Sequence, residues 1–396
     1  MVKSMDRFFS ERAAVGFLSV LLVLAGVGAA WGQAKAAAKD EPKPAPDVIL
    51  FTNGDQLSGQ LERGVGNSII FKSDVAGEIT VPLDKVKEMR STGSFAVLRK
   101  DIPASREAIH PGTILYGDGV MTVANPVGPP ETIPVKQIGY IIDQSTYDRE
   151  LERKPGPMWG WNGTVTAGAT LVRSTQNGLT FTTGIAVVRA IPTVVYLPAR
   201  NRTTFGLTET YGKLTQPGAI PQTVPPTPDV VAKTSIFHSG AERDEYFTPH
   251  FYALAQMTFD HNYSQGLNLQ QVYGSGIGWT PLSGPRHQMD VKADLHYEKQ
   301  AFQTDSSNQN LIGSTITEAY KRTLPRKMTL LESANVLPAW NNSSALSANG
   351  SLALGLPLFK RFAMMFTTTD NFLNNPAAGY EKNSFQFVSG LTYSLR

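Results

Sequence analysis

From Trp159 to Arg396 the chain repeats one pattern, in runs of about 10–16 residues: apolar side chains at every second position, small or polar ones between. In the first run Trp159, Trp161, Val165, Ala167, Ala169 and Leu171 alternate with Asn162, Thr164, Thr166 and Thr170. Near the middle, Met289, Val291, Ala293, Leu295 and Tyr297 alternate with Asp290, Lys292, Asp294, His296 and Glu298. The last run sets Phe385, Phe387, Leu391, Tyr393 and Leu395 against Gln386, Gly390, Thr392 and Ser394. A period of two puts each set on one face of a strand. A charged face opposite an apolar face fits either a two-sheet sandwich or a barrel whose outside meets lipid. Length separates them, because sandwich strands average about 5–6 residues and a tilted spanning strand needs about 9–11. Aromatics near the run ends (Trp159, Trp161, Trp279, Trp340, Phe385, Tyr393) also suit interfacial girdles. The expectation is an antiparallel transmembrane β-barrel of about twelve strands over residues 159–396.

The connections sort by length. TPLSGP (280–285), LPR (324–326) and PLFK (357–360) are short, whereas TQPGAIPQTVPPTP (215–228), QTDSSNQN (303–310) and LNNPAAGYEK (373–382) are mostly longer and polar. Short periplasmic turns and longer external loops are the barrel asymmetry. Arg189 and Glu332 fall on the lipid phase. Arg189 lies near a strand end, where it can snorkel; for Glu332 either a bulge turns it inward or the register of the ninth strand differs.

Only 17% of residues are charged, against roughly a quarter in globular chains, and there is no cysteine. A net charge of +3 spread along the chain gives no nucleic-acid footprint. Residues 1–32 read as a signal peptide: Lys3, Arg7 and Arg12, then the apolar GFLSVLLVLAGVGAA (16–30), then small residues. Beyond residue 32 no run reaches the ~18 apolar residues of a spanning helix. Residues 33–46 are an Ala/Lys/Pro linker.

Residues 47–143 change to short β-runs with sharp turns, opening on the Asn53-Gly54-Asp55 hairpin signal. ITVPLDKVKEM (79–89) is echoed by TIPVKQIGYI (132–141), and GTILYGDG (112–119) supplies a second strand–turn element. The expectation is a small periplasmic SH3- or Sm-like β-module built as a tandem repeat, with Pro82 and Pro134 at edges or strand starts. The charged stretch 144–158, ending Pro155-Gly156-Pro157, reads as a second linker.

The chain resembles the family of bacterial salt-induced outer-membrane proteins, a domain family of unknown function. WGWNGTVTAGATLVRSTQNGLTFTTG, YALAQMTFDHNYSQGLNLQQVYGSGIGW with HQMDVKADLHYEKQ, and GYEKNSFQFVSGLTYSLR carry the resemblance over residues 159–396. It implies an outer-membrane barrel fused to a small β-module, without assigned activity or catalytic residues.

The informative polar feature is the row Asp290, Lys292, Asp294, His296 and Glu298, joined on the next strand by Glu318 and Arg322. If these share a lumen, Asp290 sits near Arg322 and Glu318 near Asp294 or His296, forming either a charged constriction or a salt-bridged plug. Asp260, His261 and Ser264 superficially suggest the triad of a lipid hydrolase, but adjacency is not triad geometry and no GxSxG elbow is present. The histidines show no metal-ligand spacing, so no metal or cofactor is expected. The reading is a non-enzymatic passive channel or envelope-stress porin-like protein. Its expected partners are outer-membrane lipid, small solutes or a periplasmic partner. The alternatives are a non-conducting interaction barrel and, in a different class, a lipid hydrolase.

Overall fold

The computed structural model describes residues 45–100, 109–125, 128–152, 156–173, 177–216, 230–284, 286–303, 305–376 and 382–395. The signal-peptide reading and most of the first linker lie outside them. No helix among the described residues is long and apolar enough to cross a membrane.

The smaller sheet has nine strands: β1 (Asp47–Phe51), β2 (Gln56–Val65), β3 (Ser68–Ser73), β4 (Gly77–Pro82), β5 (Val86–Arg99), β6 (Gly112–Gly117), β7 (Val120–Ala124), β8 (Glu131–Pro134) and β9 (Ile138–Asp143). The order is β4-β3-β2-β1-β5-β6-β7-β8, with β9 paired to β2 and β5. Strand β5 serves two units, because its pairing with β6 is interrupted between Arg90 and Ser94. Its first half closes one five-stranded unit on β1, with Val48 opposite Arg90 and Ile49 opposite Met89. Its second half opens the other, with Ala96 opposite Ile142 and Val97 opposite Ile141 on β9. Each unit places a 3-10 turn before its last strand, Leu83–Lys85 in one and Val135–Gln137 in the other. The same backbone bond fixes both turns, Leu83 N–H to Asn67 O and Val135 N–H to Gly119 O. Pro82 and Pro134 end the edge strands β4 and β8, where a missing N–H costs no ladder bond. Ile49, Ile69, Phe71, Leu83, Ile114, Met121, Ile133 and Ile141 fill one continuous core.

The larger sheet is a closed antiparallel barrel of twelve strands, β10 to β21. These are β10 (Trp161–Arg173), β11 (Asn177–Ile191), β12 (Asn201–Gln216), β13 (Val230–Tyr246), β14 (Phe251–Asn262) and β15 (Leu267–Ser283). The second half is β16 (His287–Phe302), β17 (Gln309–Thr323), β18 (Thr329–Pro338), β19 (Leu346–Phe359), β20 (Phe362–Leu373) and β21 (Asn383–Ser394). Strand β21 pairs back onto β10, so no edge is left open. The burial is inverted relative to an ordinary core. On β16, Leu295 is 60% exposed, whereas His296 is 4% and Glu298 1% exposed. The apolar phase therefore faces out and the charged phase faces in. Aromatics pair near the module end: exposed Phe251 stacks on exposed Trp279 at 6.0 Å, and half-buried Phe362 lies 5.0 Å from both Phe359 and Tyr393. Tyr263, Trp340 and Phe385 are exposed at the other end.

The segment expected as a linker instead joins module to barrel. Gln144–Tyr147 form a short helix, α1, capped by the Asp143 side chain, and helical backbone continues over Asp148–Glu152. Glu150 is fully buried. It accepts from the Thr193 N–H and hydroxyl, each at 2.7 Å, and pairs with Arg149 at 2.9 Å. Arg200 donates to the Glu150 backbone carbonyl. Burial pushes the Glu150 carboxyl up, but the Thr193 N–H, Arg149 and the Thr193 hydroxyl outweigh it and hold it below its ordinary value. Around this bond Leu197, Val194 and Tyr196 of the β11–β12 connection pack on Ala96, Leu98 and Ile142 of the module. The Arg63 guanidinium caps the Tyr196 ring at 5.2 Å. Docking thus accounts for the length of the β11–β12 connection (192–200) at the otherwise short-turned module end.

Candidate functional site

The barrel interior divides into two arcs. Asp290, Lys292, Asp294, His296 and Glu298 all face in from β16, and their partners come from β12 to β15 and from β17. Nearest the module, Arg202 on β12 donates to Asp244 on β13 at 2.7 Å and reaches Asp290 at 3.4 Å. Strands β12 and β16 are not neighbours, so this contact crosses the interior. Asp290 also accepts from Thr280 (2.6 Å), Gln288 (2.9 Å) and the Tyr252 hydroxyl (3.3 Å). The Tyr252 and Tyr246 rings, 4.8 Å apart, lie beside the guanidinium at 5.2 and 5.8 Å. Every charge there is paired, as burial requires.

Further along, Lys292 reaches Glu242 on β13 at 2.5 Å, and Gln256 donates to Asp294. His296 lies 3.1 Å from Asp294 and 3.7 Å from Glu298. Glu298 then accepts from Gln270 and Gln300, both at 2.6 Å. Two inward glycines on β15 make room for these side chains. A Cβ on Gly278 would collide with the Tyr252 ring, and one on Gly274 would sit 3.1 Å from the Asp294 carboxylate. Gly278→Ala is accordingly expected to displace Tyr252 and to cost about 1–3 kcal/mol by overpacking. Chemical unfolding checks this, and adding Tyr252→Ala should recover part of the loss as a positive coupling.

The other arc is small and neutral. The register places Ser333 and Asn335 of β18, Asn349 and Ser351 of β19, and Thr367 and Thr369 of β20 inward. These positions are half-buried, so they line accessible space and not a packed core. On the charged arc, His238 and Asp260 pair at 2.6 Å across β13 and β14 with side chains 51% and 32% exposed.

Two expected lining residues are not in the lumen. On β16–β17 His287 lies opposite Arg322 and Val291 opposite Glu318. Glu318 and Arg322 therefore share the outward face with Val291 and the 59%-exposed Ile316. Asp290 faces Ala319 and Asp294 faces Thr315 instead. A one-residue difference in register exchanges the two faces of a strand, and the 303–308 connection sets that register. Glu332 stays on the outer face, opposite Tyr320, so no bulge turns it inward. With Glu318, Tyr320 and Arg322 it makes a polar strip across the apolar surface, and Glu209 on β12 is a further outward carboxylate. Arg189 also faces out, bonded to the Trp159 and Gly156 carbonyls.

The triad constellation does not assemble. Asp260 faces inward to His238, while His261 bonds the Asn268 carbonyl. Ser264 bonds Asn262 and Ser384, not a histidine. Among the described residues no group of three His, Cys, Asp or Glu is arranged to hold a metal ion.

The mouth far from the module is spanned. The tip of the β14–β15 hairpin, a 3-10 turn over Tyr263–Gln265, folds inward. Buried Gln265 donates to the Asn371 and Lys382 carbonyls at 3.0 and 2.7 Å, and the Ser264 hydroxyl lies 3.3 Å from that of Ser384. These partners belong to β20, β21 and the turn between them, on the opposite wall of a twelve-stranded ring. Leu267, Phe302 and Leu373 pack beside the crossing.

Residues 199–395 match the family described as "Protein of unknown function, DUF481". This stretch resembles that family's domain. It opens at the end of the docked β11–β12 connection and runs through β21. Strands β10 and β11, which complete the ring, and the module lie outside the matched DUF481 range. No curated protein matches the chain. Among solved structures, the NanC porin is similar at 6% identity and a TM-score of 0.36, covering 59% of this chain and 100% of its own. The KdgM porin, solved in complex with disordered oligogalacturonate, is similar at 10% identity and a TM-score of 0.31, with 59% and 99% covered. The translocator domain of the autotransporter NalP from Neisseria meningitidis follows at 12% identity and 0.28, with 59% and 86% covered. At these scores the likeness says nothing about what this barrel does.

Proposed function

We propose that the protein spans the outer membrane as a narrow, cation-preferring channel, with its β-module held in the periplasm at the inner mouth. One observation carries this reading: a charged, hydrogen-bonded column on one arc of the lumen faces a half-exposed arc of Ser, Thr and Asn. The column narrows the lumen, and the small-residue arc leaves a polar path beside it. Among the described inward residues Glu242, Asp244, Asp260, Asp290, Asp294 and Glu298 outnumber Arg202, Lys292 and Lys321. Rings of carboxylates favour cations. The membrane setting is supported by the exposed apolar surface with aromatics at both ends and by the absence of any open strand edge.

In planar bilayers the protein is expected to give discrete steps. In an about tenfold KCl gradient the reversal potential should lie toward that of K⁺. Asp260→Asn, at the accessible carboxylate, should move it toward zero. Anion preference would overturn the assignment of selectivity. A second reading, a silent barrel that anchors the module, is favoured by the crossing at the far mouth. Channel steps would remove it.

A further inference from the structure

We infer that the β14–β15 hairpin tip is the gate of this channel and that its latch is the contact of Ser264 and Gln265 with β20 and β21; this rests on the channel reading. The crossing is built at both ends. At its base, Asn262 accepts from the Ser264 N–H (3.1 Å) and hydroxyl (2.6 Å) and donates to Gln265 (2.9 Å). Gly266 takes the left-handed conformation, φ +67°, that returns the chain into β15, and its carbonyl accepts from the Gln303 N–H. Strand β13 continues past this point, since its pairing with β14 ends at Ile236 opposite Asn262 while β13 starts at Val230. The tip therefore leaves the wall below the rim and turns into the lumen. At the far side the described bonds to it are side-chain ones, the Gln265 amide to two carbonyls and Ser264 to Ser384, beside the apolar contact of Leu267 and Phe302 with Leu373. A tip braced within itself but tied to the opposite wall by a few neutral bonds and one small apolar contact can swing as a unit. Losing those bonds frees the mouth without unpairing a strand.

The chain has no cysteine, so a latch disulfide is the only one that can form. Ser264→Cys/Ser384→Cys, placed where the hydroxyls lie 3.3 Å apart, is expected to close the channel when oxidised and to restore wild-type steps when reduced. Gln265→Ala is expected to raise the open fraction about tenfold, because it removes two hydrogen bonds from the closed state alone. Steps that persist unchanged in the oxidised variant would overturn the gate and leave the channel standing. Failure of the disulfide to form in the inserted protein would overturn it as well. Silence of every variant, Gln265→Ala and the reduced pair included, would remove the channel reading and the gate with it.

Discussion

Replacing Arg202 by alanine is expected to destabilise the barrel by about 3–5 kcal/mol, the cost of leaving a buried charge uncompensated. The guanidinium is the counter-charge of Asp244, at 2.7 Å, and the cross-lumen partner of Asp290, at 3.4 Å. Both carboxylates are buried, and one Asp244 oxygen has no further hydrogen-bond partner. Removing the cation leaves two carboxylates in the same polar pocket with Thr280, Gln288 and Tyr252 as their remaining donors on Asp290. Lysine should recover part of the loss, since it restores charge but not the fork or its contacts with the Tyr246 and Tyr252 rings. Denaturant titration of protein folded into lipid vesicles reads the difference. A change below about 0.5 kcal/mol, the size of ordinary surface substitutions, would mean that the pocket is wet and the pair screened.

The second large effect concerns docking of the module. Glu150→Ala removes the acceptor of both Thr193 bonds and the partner of Arg149. Hydrogen bonds to a charged group contribute about 1.5–3 kcal/mol each, so a net loss of about 3 kcal/mol corresponds to roughly a hundredfold rise in the undocked fraction. Limited trypsin cleavage at Arg149 should accelerate accordingly, while the barrel stays resistant. The pH dependence has a definite sign. Because the Glu150 carboxyl is held below its ordinary value, its contribution is complete above the ordinary glutamate range of about 4.3 and is lost as pH falls through the lower, docked value. Equal cleavage rates in wild type and Glu150→Ala would show that Leu197, Val194 and Tyr196 suffice to hold the module.

How much of this was legible depends on the range of the signal. The barrel was legible because alternation is local and long: Met289 to Glu298 declares two faces without reference to another strand. The repeat was legible because Thr80-Val81-Pro82 and Thr132-Ile133-Pro134 mark the same turn entry. The faces of Glu318 and Arg322 were not, since their side depends on the parity set by a neighbouring connection. Nor was Glu150, in the run DRELER that reads as a solvated charged linker until the Thr193 N–H is brought to it by a turn 43 residues on. The Arg202–Asp290 contact spans 88 residues, and no spacing rule reports it. Tyr263-Ser264-Gln265-Gly266 looks like an ordinary short loop, and only the mismatch in length between β13 and β14 turns it inward.

The central claim is that the apolar phase meets lipid and the charged phase lines the interior. Nitroxides on single cysteines introduced along β16 from Met289 to Glu298, and at Ile316 and Thr317 of β17, test it directly in vesicles. Oxygen is expected to reach the positions of Val291, Leu295, Tyr297 and Ile316, and to reach those of Asp294, His296 and Thr317 poorly. Outward positions that instead collide freely with a water-borne nickel chelate, or an alternation of the opposite phase, would contradict it.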